Sequence, residues 1–212
     1  ANCGVVEPPE PKINEFSVNH VGTDYYEYIE VYGDSDTNYF DYTLLEIEGD
    51  SSGSGVIDGA WSVGTTDANG FWWTDYFSNK IENGTITVML VKEFTGDTGD
   101  DIDSNNDGII DFTPWTAIVD TVAVYDGDGS DLTYGTPVLT AYYDGLAYAP
   151  GGASRIPDGY DTDAATDWVR NDFHLAGIPG FDGTPIVGEA INTPGAPNEV
   201  YTPPPEACGD PY

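Results

Sequence analysis

Positive charge is almost missing from this chain: 5 Lys and Arg stand against 38 Asp and Glu in 212 residues, a formal net charge of −33. Phosphate backbones and anionic bilayer surfaces are bound through Lys and Arg, so a field of this sign repels both, and no nucleic-acid partner is expected. Self-repulsion on this scale also works against a compact state unless cations or salt offset it, which points to bound metal ions, a saline medium, or both. Long apolar runs are missing too. Nothing approaches the roughly 20 residues of a membrane-spanning helix, so no membrane insertion is expected. With two histidines and two cysteines there is no His/Cys cluster of the kind that holds zinc. The cysteines, Cys3 and Cys208, lie near the two ends. An even count at the margins of a chain that starts at Ala1, as after removal of a secretory signal, reads as a disulfide in an extracellular, secreted or cell-surface protein.

What is present is a globular composition, with 39% apolar residues, 13% aromatics, 5 Trp and 15 Tyr, enough for one domain with a sizeable core. Prolines gather at the ends, at Pro8, Pro9 and Pro11 and again at Pro203, Pro204, Pro205 and Pro211. Residues 1–12 and 199–212 are therefore expected to be extended arms flanking a folded body over 13–198. Inside the body the period is that of strands: "INEFSVNH" (13–20), "YYEYIEVYG" (25–33), "YTLLEIEG" (42–49), "GVIDGAWSV" (55–63), "GFWWTDYF" (70–77), "TITVMLVKEF" (85–94), "TAIVDTVAVYD" (116–126) and "PVLTAYYDG" (137–145). Turn signals such as "DGDG" and "DANG" separate them, and Asn83–Gly84 reads as a hairpin turn. Only "TDAATDWVRND" (162–172) carries a cap position followed by helix formers, enough for two or three turns. The sum is all-β, an antiparallel β-sandwich with long loops and one short helix.

The most specific motif is "DSNNDGIID" (103–111). Oxygen donors at alternate positions followed by glycine let a chain wrap a hard cation, the glycine permitting the sharp turn. The expected calcium ligands are Asp103, Asn105, Asp107, the Ile109 carbonyl and Asp111, with Asp101 or Asp100 available from the N-terminal side. Pro114 stands where an EF-hand needs its bidentate Glu, so the loop instead resembles the shorter Asp-rich loops of dockerins and thrombospondin repeats. "DTDAATD" (161–167) is a weaker echo that helix capping explains as well.

Taken in order, several segments resemble the lamin-tail domain family, an immunoglobulin-like β-sandwich frequent in bacterial secreted proteins. "INEFSVNH" and "YEYIEVYG" resemble its first two strands. "SRIPDGYDTDAATDWVRND" and "GEAINTPGAPN" resemble its late segments, the second ending in a Thr-Pro-Gly…Asn signature at Thr193, Pro194, Gly195 and Asn198. The segment around 103–111 resembles an acidic insertion of a bacterial branch, some members of which precede a secreted nuclease domain. The resemblance spans about residues 13–198 and implies a scaffold or interaction module with no catalytic residues to transfer.

Enzymatic readings are thin. "GDSSG" (49–53) matches the form G-x-S-x-G, but a strand and no helix is expected after it. Only His20 and His174 could serve as base, and neither lies in a partner motif. Among 38 acids some pair always lies at a glycosidase-like separation, so that signal decides nothing. The aromatic doublets Tyr25–Tyr26, Trp72–Trp73 and Tyr142–Tyr143 should each divide between core and surface. The expectation is a secreted, non-catalytic, calcium-stabilised structural or adhesive module that self-associates through its terminal arms into an extracellular fibre or surface assembly. The alternatives are a carbohydrate-binding module or an accessory domain of a secreted hydrolase or nuclease.

Overall fold

The computed structural model describes residues 8–51, 53–181 and 185–204. Ten strands run in chain order: β1 (Lys12–Ser17), β2 (Tyr28–Tyr32), β3 (Tyr42–Glu48), β4 (Ile57–Ser62), β5 (Phe71–Trp73), β6 (Ile86–Lys92), β7 (Ala117–Tyr125), β8 (Val138–Thr140), β9 (Gly152–Arg155) and β10 (Trp168–Arg170). They form two five-stranded sheets, ordered β10-β9-β1-β2-β5 and β4-β3-β6-β7-β8, packed as a sandwich. All ladders are antiparallel except β7–β8, which is parallel. The eight strands expected from periodicity are all present.

The core between the sheets holds Ile13, Phe16, Ile29, Val31, Leu44, Ile86, Val88, Leu90, Val122 and Val124. Both outer faces are partly covered as well. Leu45, Ile47, Met89 and Val91 point the other way from β3 and β6 and are roofed by Ile102, Trp115 and Tyr134. Tyr28 of β2 is roofed by Leu175 and Ile178. This double cover explains why every residue of β3 is buried, Thr43, Glu46 and Glu48 included, where a strand with one solvated face would alternate.

Two expectations need correction. Over 162–172 there is no helix of two or three turns. A single 3-10 turn spans Ala165–Asp167, β10 follows at once, and no α-helix occurs among the described residues. The local signal was weak, and packing overrode it: Trp168 lies edge-on to Phe16 at 5.6 Å, and β10 pairs with β9. Asn83–Gly84 is not a hairpin turn either, because β5 and β6 belong to different sheets and residues 74–85 cross between them. Strand β9 escaped sequence reading because "GASR" lacks β-branched and aromatic residues. Its small size is the point, since a side chain at Gly152 would meet the Phe16 carbonyl.

Cys3 and Cys208 lie outside the described residues, as do most of the two arms. The C-terminal arm starts against the body: Val200 bridges Ala190, and the Tyr201 N–H donates to the Glu189 carbonyl at 2.8 Å. No helix among the described residues is long and apolar enough to cross a membrane.

Candidate functional site

The acidic segment between β6 and β7 docks along the edge of β4. Its Asp100 carbonyl accepts the Ile57 N–H, the Gly99 N–H donates to the Ile57 carbonyl, and the Ile102 N–H donates to the Gly55 carbonyl. Buried Ile102 then pins the turn beyond it. Asp103 is fully buried. Its carboxylate accepts N–H groups of Gly108 (2.8 Å) and Asp107 (3.2 Å) and the Tyr134 hydroxyl (2.9 Å). Burial alone would raise its pKa, but these hydrogen bonds outweigh burial and hold it below the usual carboxylate range. The backbone turns around it through left-handed Asn106 (φ 53°) and Gly108 (φ 81°).

The other expected ligands line the same turn. Asn105 and Asp107 are joined at 3.2 Å and accept the N–H groups of Asp107 and Ile109, respectively. Asp101 accepts the Asp103 N–H, and Asp111 accepts the Ser104 hydroxyl at 3.1 Å. Ile109 leaves its side chain exposed. Asp101, Asp103, Asn105, Asp107, Ile109 and Asp111 thus lie along one short turn, but its carboxylates do not form a group of three or more with oxygens within 4.8 Å of one another.

Among the described residues two groups of carboxylates converge closely enough to hold a metal ion, and neither lies in this turn: Glu48, Asp58 and Glu82, and Asp50, Asp126 and Asp131. In each, one oxygen per residue lies within 4.8 Å of the others. The second group converges on Thr85, whose hydroxyl donates to Asp131 and whose N–H donates to Asp50. The "GDSSG" turn supplies this group with Asp50, and the Ser51 N–H donates to Asp131. The first group adjoins Glu46, a fully buried residue whose Oε1 accepts the Glu82 N–H at 2.7 Å and whose Oε2 has no partner. Burial, then the charges of Asp58, Glu48 and Glu82, pushes the Glu46 carboxyl up to about 7.

Two of the three acids of "DTDAATD", Asp161 and Asp167, serve a cation supplied by the protein. Arg155, fully buried, donates to both oxygens of Asp120 (2.9 and 3.1 Å), to Asp161 (2.8 Å) and to the Ile13 and Tyr160 carbonyls. Asp167 stands 3.7 Å away, and the Trp168 ring lies 4.5 Å from the guanidinium carbon. Asp161 also pairs with Lys12 at 3.0 Å. Sequence reasoning missed Arg155. The scarcity of cations was the available signal, since a buried arginine in so acidic a chain has many partners to choose from.

The Thr-Pro-Gly…Asn segment is held by the first two strands. Glu15 accepts the Thr193 N–H at 3.0 Å and Glu30 accepts the Gly195 N–H. The Asn198 amide donates to the Asn14 and Arg155 carbonyls. No protein-family model, curated protein or solved structure matches this chain. The arrangement nevertheless joins the opening and closing motifs that the sequence singled out.

A cleft of about 700 Å³ opens between Leu146, Tyr148, Phe173 and Ile186, with Arg170 and Glu189 among its lining. Arg170 is tied to Asp144 at 2.8 Å. Glu189 has one buried oxygen without a partner, and burial pushes its carboxyl up to about 7. His174 lines this cleft, whereas His20 is buried with its ring held between the Val21 carbonyl, 3.1 Å from Nδ1, and the Tyr26 N–H, which donates to Nε2. Of the aromatic doublets, Tyr25 and Tyr142 are exposed, while Trp72 and Trp73 pack into different apolar clusters on opposite faces of their sheet.

Proposed function

We propose that this chain is a secreted, non-catalytic structural or adhesive module of lamin-tail type, stabilised by calcium in the 101–111 turn and assembling into an extracellular fibre or surface layer. The observation that carries the reading is Asp103: a buried carboxylate whose pKa hydrogen bonds hold low, in a turn that also carries the oxygen-bearing side chains of Asp101, Asn105, Asp107 and Asp111. An ionised carboxylate is buried when a counter-ion and hydrogen bonds compensate it. A net charge of −33 gives the whole domain a reason to bind cations. The ligand set of Asp103, Asn105, Asp107, the Ile109 carbonyl and Asp111, with Asp101 behind it, is all oxygen and suits a calcium ion better than a zinc or copper ion.

The test is thermal melting with and without a chelator. An ion bound only by the folded state at about a hundredfold excess over Kd stabilises it by about 2.7 kcal/mol. EDTA is therefore expected to lower the melting temperature by several degrees, and Asp107→Ala to weaken that response. An unchanged melt, with no metal found by elemental analysis, overturns the reading.

The cleft favours a second reading, a carbohydrate-binding module. Tyr148 is 81% exposed and Phe173 43% exposed at its rim, above polar groups that include Arg170 and Glu189. Exposed aromatic faces beside hydrogen-bonding groups suit a sugar ring. Calorimetric titration with soluble oligosaccharides decides it: binding lost in Tyr148→Ala supports this reading, and no heat with any of them removes it.

A further inference from the structure

We propose that Glu48, Asp58 and Glu82, with the buried carboxyl of Glu46 alongside them, form a second calcium site, separate from the 101–111 turn, that ties the β3–β4 pair to the crossover between the two sheets. Three observations meet here. The first is Glu46 itself, fully buried, with Oε1 occupied by the Glu82 N–H and Oε2 without any partner. Buried polar atoms are nearly always satisfied, and an orphaned carboxylate oxygen beside three other carboxylates asks for a positive ligand.

The second is convergence. Glu48, Asp58 and Glu82 each place an oxygen within 4.8 Å of the others. Two oxygens bound to one calcium at about 2.4 Å cannot be farther apart than about 4.8 Å, so the group already has the span that such an ion requires.

The third is the way the sheet builds the site. Glu46 and Glu48 alternate along β3 and share a face. Across the β3–β4 ladder Glu46 pairs with Gly59 and Ile47 with Ile57, which leaves Asp58 as the extra residue of a bulge. A bulge re-aims a side chain. Gly59 leaves room in turn, since a side chain there would run into the Trp61 ring. Glu82 arrives from residues 74–85, the segment that passes from one sheet to the other.

Ligands that are all carboxylate oxygen select a hard divalent cation. Calcium, with 6–8 oxygens in a flexible shell, suits donors from three separate segments better than magnesium, which demands near-ideal octahedral geometry. Exposed Asp58 and Glu82 leave the outer side of the ion to water.

The experiment is calorimetric calcium titration of the full chain in an Asp107→Ala background, where the turn site is disabled. A calcium site is expected to remain there and to weaken by at least about tenfold in Glu48→Gln/Asp58→Asn, because fewer ligand charges lower affinity. Terbium substituted for calcium should show luminescence excited through Trp61, lost in Trp61→Phe while calcium binding persists. Circular dichroism of each variant confirms that the fold is kept, and Glu82→Gln, altered at an exposed position, offers a milder second variant. Calcium binding unchanged by all of these substitutions overturns the proposal, and magnesium binding as tightly as calcium overturns its choice of ion. If instead Asp107→Ala leaves the calcium stoichiometry of the wild-type chain untouched, the turn site fails while this one stands.

Discussion

Glu15 and Glu30 face each other directly across the β1–β2 ladder, both fully buried. Like charges opposite one another destabilise a sheet, and neither carboxyl has a basic side chain among its hydrogen-bond partners. Donors stand in their place. Glu15 accepts the Ser154 hydroxyl, the Asn171 amide and the Thr193 N–H, and Glu30 accepts the Asn14 amide and the Gly195 N–H. Burial dominates: it pushes Glu15 up to about 7, and burial together with the Glu15 charge raises Glu30 as well.

That shift fixes a pH dependence. Below about pH 4.5 Glu15 is protonated in both the folded and unfolded chain, and its effect on stability is flat. Between 4.5 and about 7 the folded chain keeps a proton that the unfolded chain releases. Folding then takes up protons, so stability falls as pH rises through this window. With chelator present, the melting temperature is expected to drop by several degrees between pH 5 and pH 7.5, and Glu15→Gln to flatten part of that slope. A melting temperature that climbs over the same range contradicts the assignment.

Much of this fold was legible in the sequence, for identifiable reasons. Long strands with β-branched and aromatic residues, such as "ITVMLVK" and "AIVDTVAVY", announce themselves. The turn at 103–111 could be read because its donors are local, each set by spacing along one loop. The Glu46, Glu48, Asp58 and Glu82 group could not, because a bulge and a crossover between sheets bring its members together. Arg155 was hidden for the same reason: Asp120 lies 35 positions before it, and the strand that carries it is short and weakly patterned.

The buried Arg155 network predicts a large mutational effect. Arg155→Met removes the charge that faces Asp120, Asp161 and Asp167. Breaking a buried pair from one side costs about 3–5 kcal/mol, because the remaining charge stays buried without compensation. Urea unfolding should show a loss of that order. Arg155→Met/Asp120→Leu is expected to recover a substantial part of it, since both charges leave together. Arg155→Lys should remain destabilising, because an ammonium group cannot reach the Ile13 and Tyr160 carbonyls and both oxygens of Asp120 at once.

Self-association through the arms has its own test. The edge strands β5, β8 and β10 span three residues each, and the longer edge strand β4 is already occupied by the segment around Gly99–Ile102. Short or covered edges offer little to an added strand, so an assembly would need its arms. Deleting residues 1–11 is expected to abolish any fibres that the full chain forms with calcium, as seen by electron microscopy. Fibres that persist without the arm, or a full chain that stays monomeric at high concentration with calcium, rule out arm-mediated assembly.

Asn198 tests how the closing motif holds the domain together. Its amide donates to the Asn14 carbonyl at 3.1 Å and the Arg155 carbonyl at 3.0 Å, and its Oδ1 accepts the Thr193 hydroxyl at 2.9 Å. One side chain thus spans strands β1 and β9 and the last described segment of the body. Asn198→Ala strands both buried carbonyls, at a cost of about 1–3 kcal/mol for each group left unsatisfied. Asn198→Asp is nearly the same size yet is expected to be worse at neutral pH. An aspartate cannot donate to either carbonyl, and it adds a negative charge close to Asp158, whose carboxylate accepts the Asn198 N–H. Protonation restores one donor, so the gap between the two variants should narrow at pH 5 and widen at pH 8 in thermal melts. Equal melting temperatures for the two variants at both pH values would show that the amide hydrogens do not hold the motif in place.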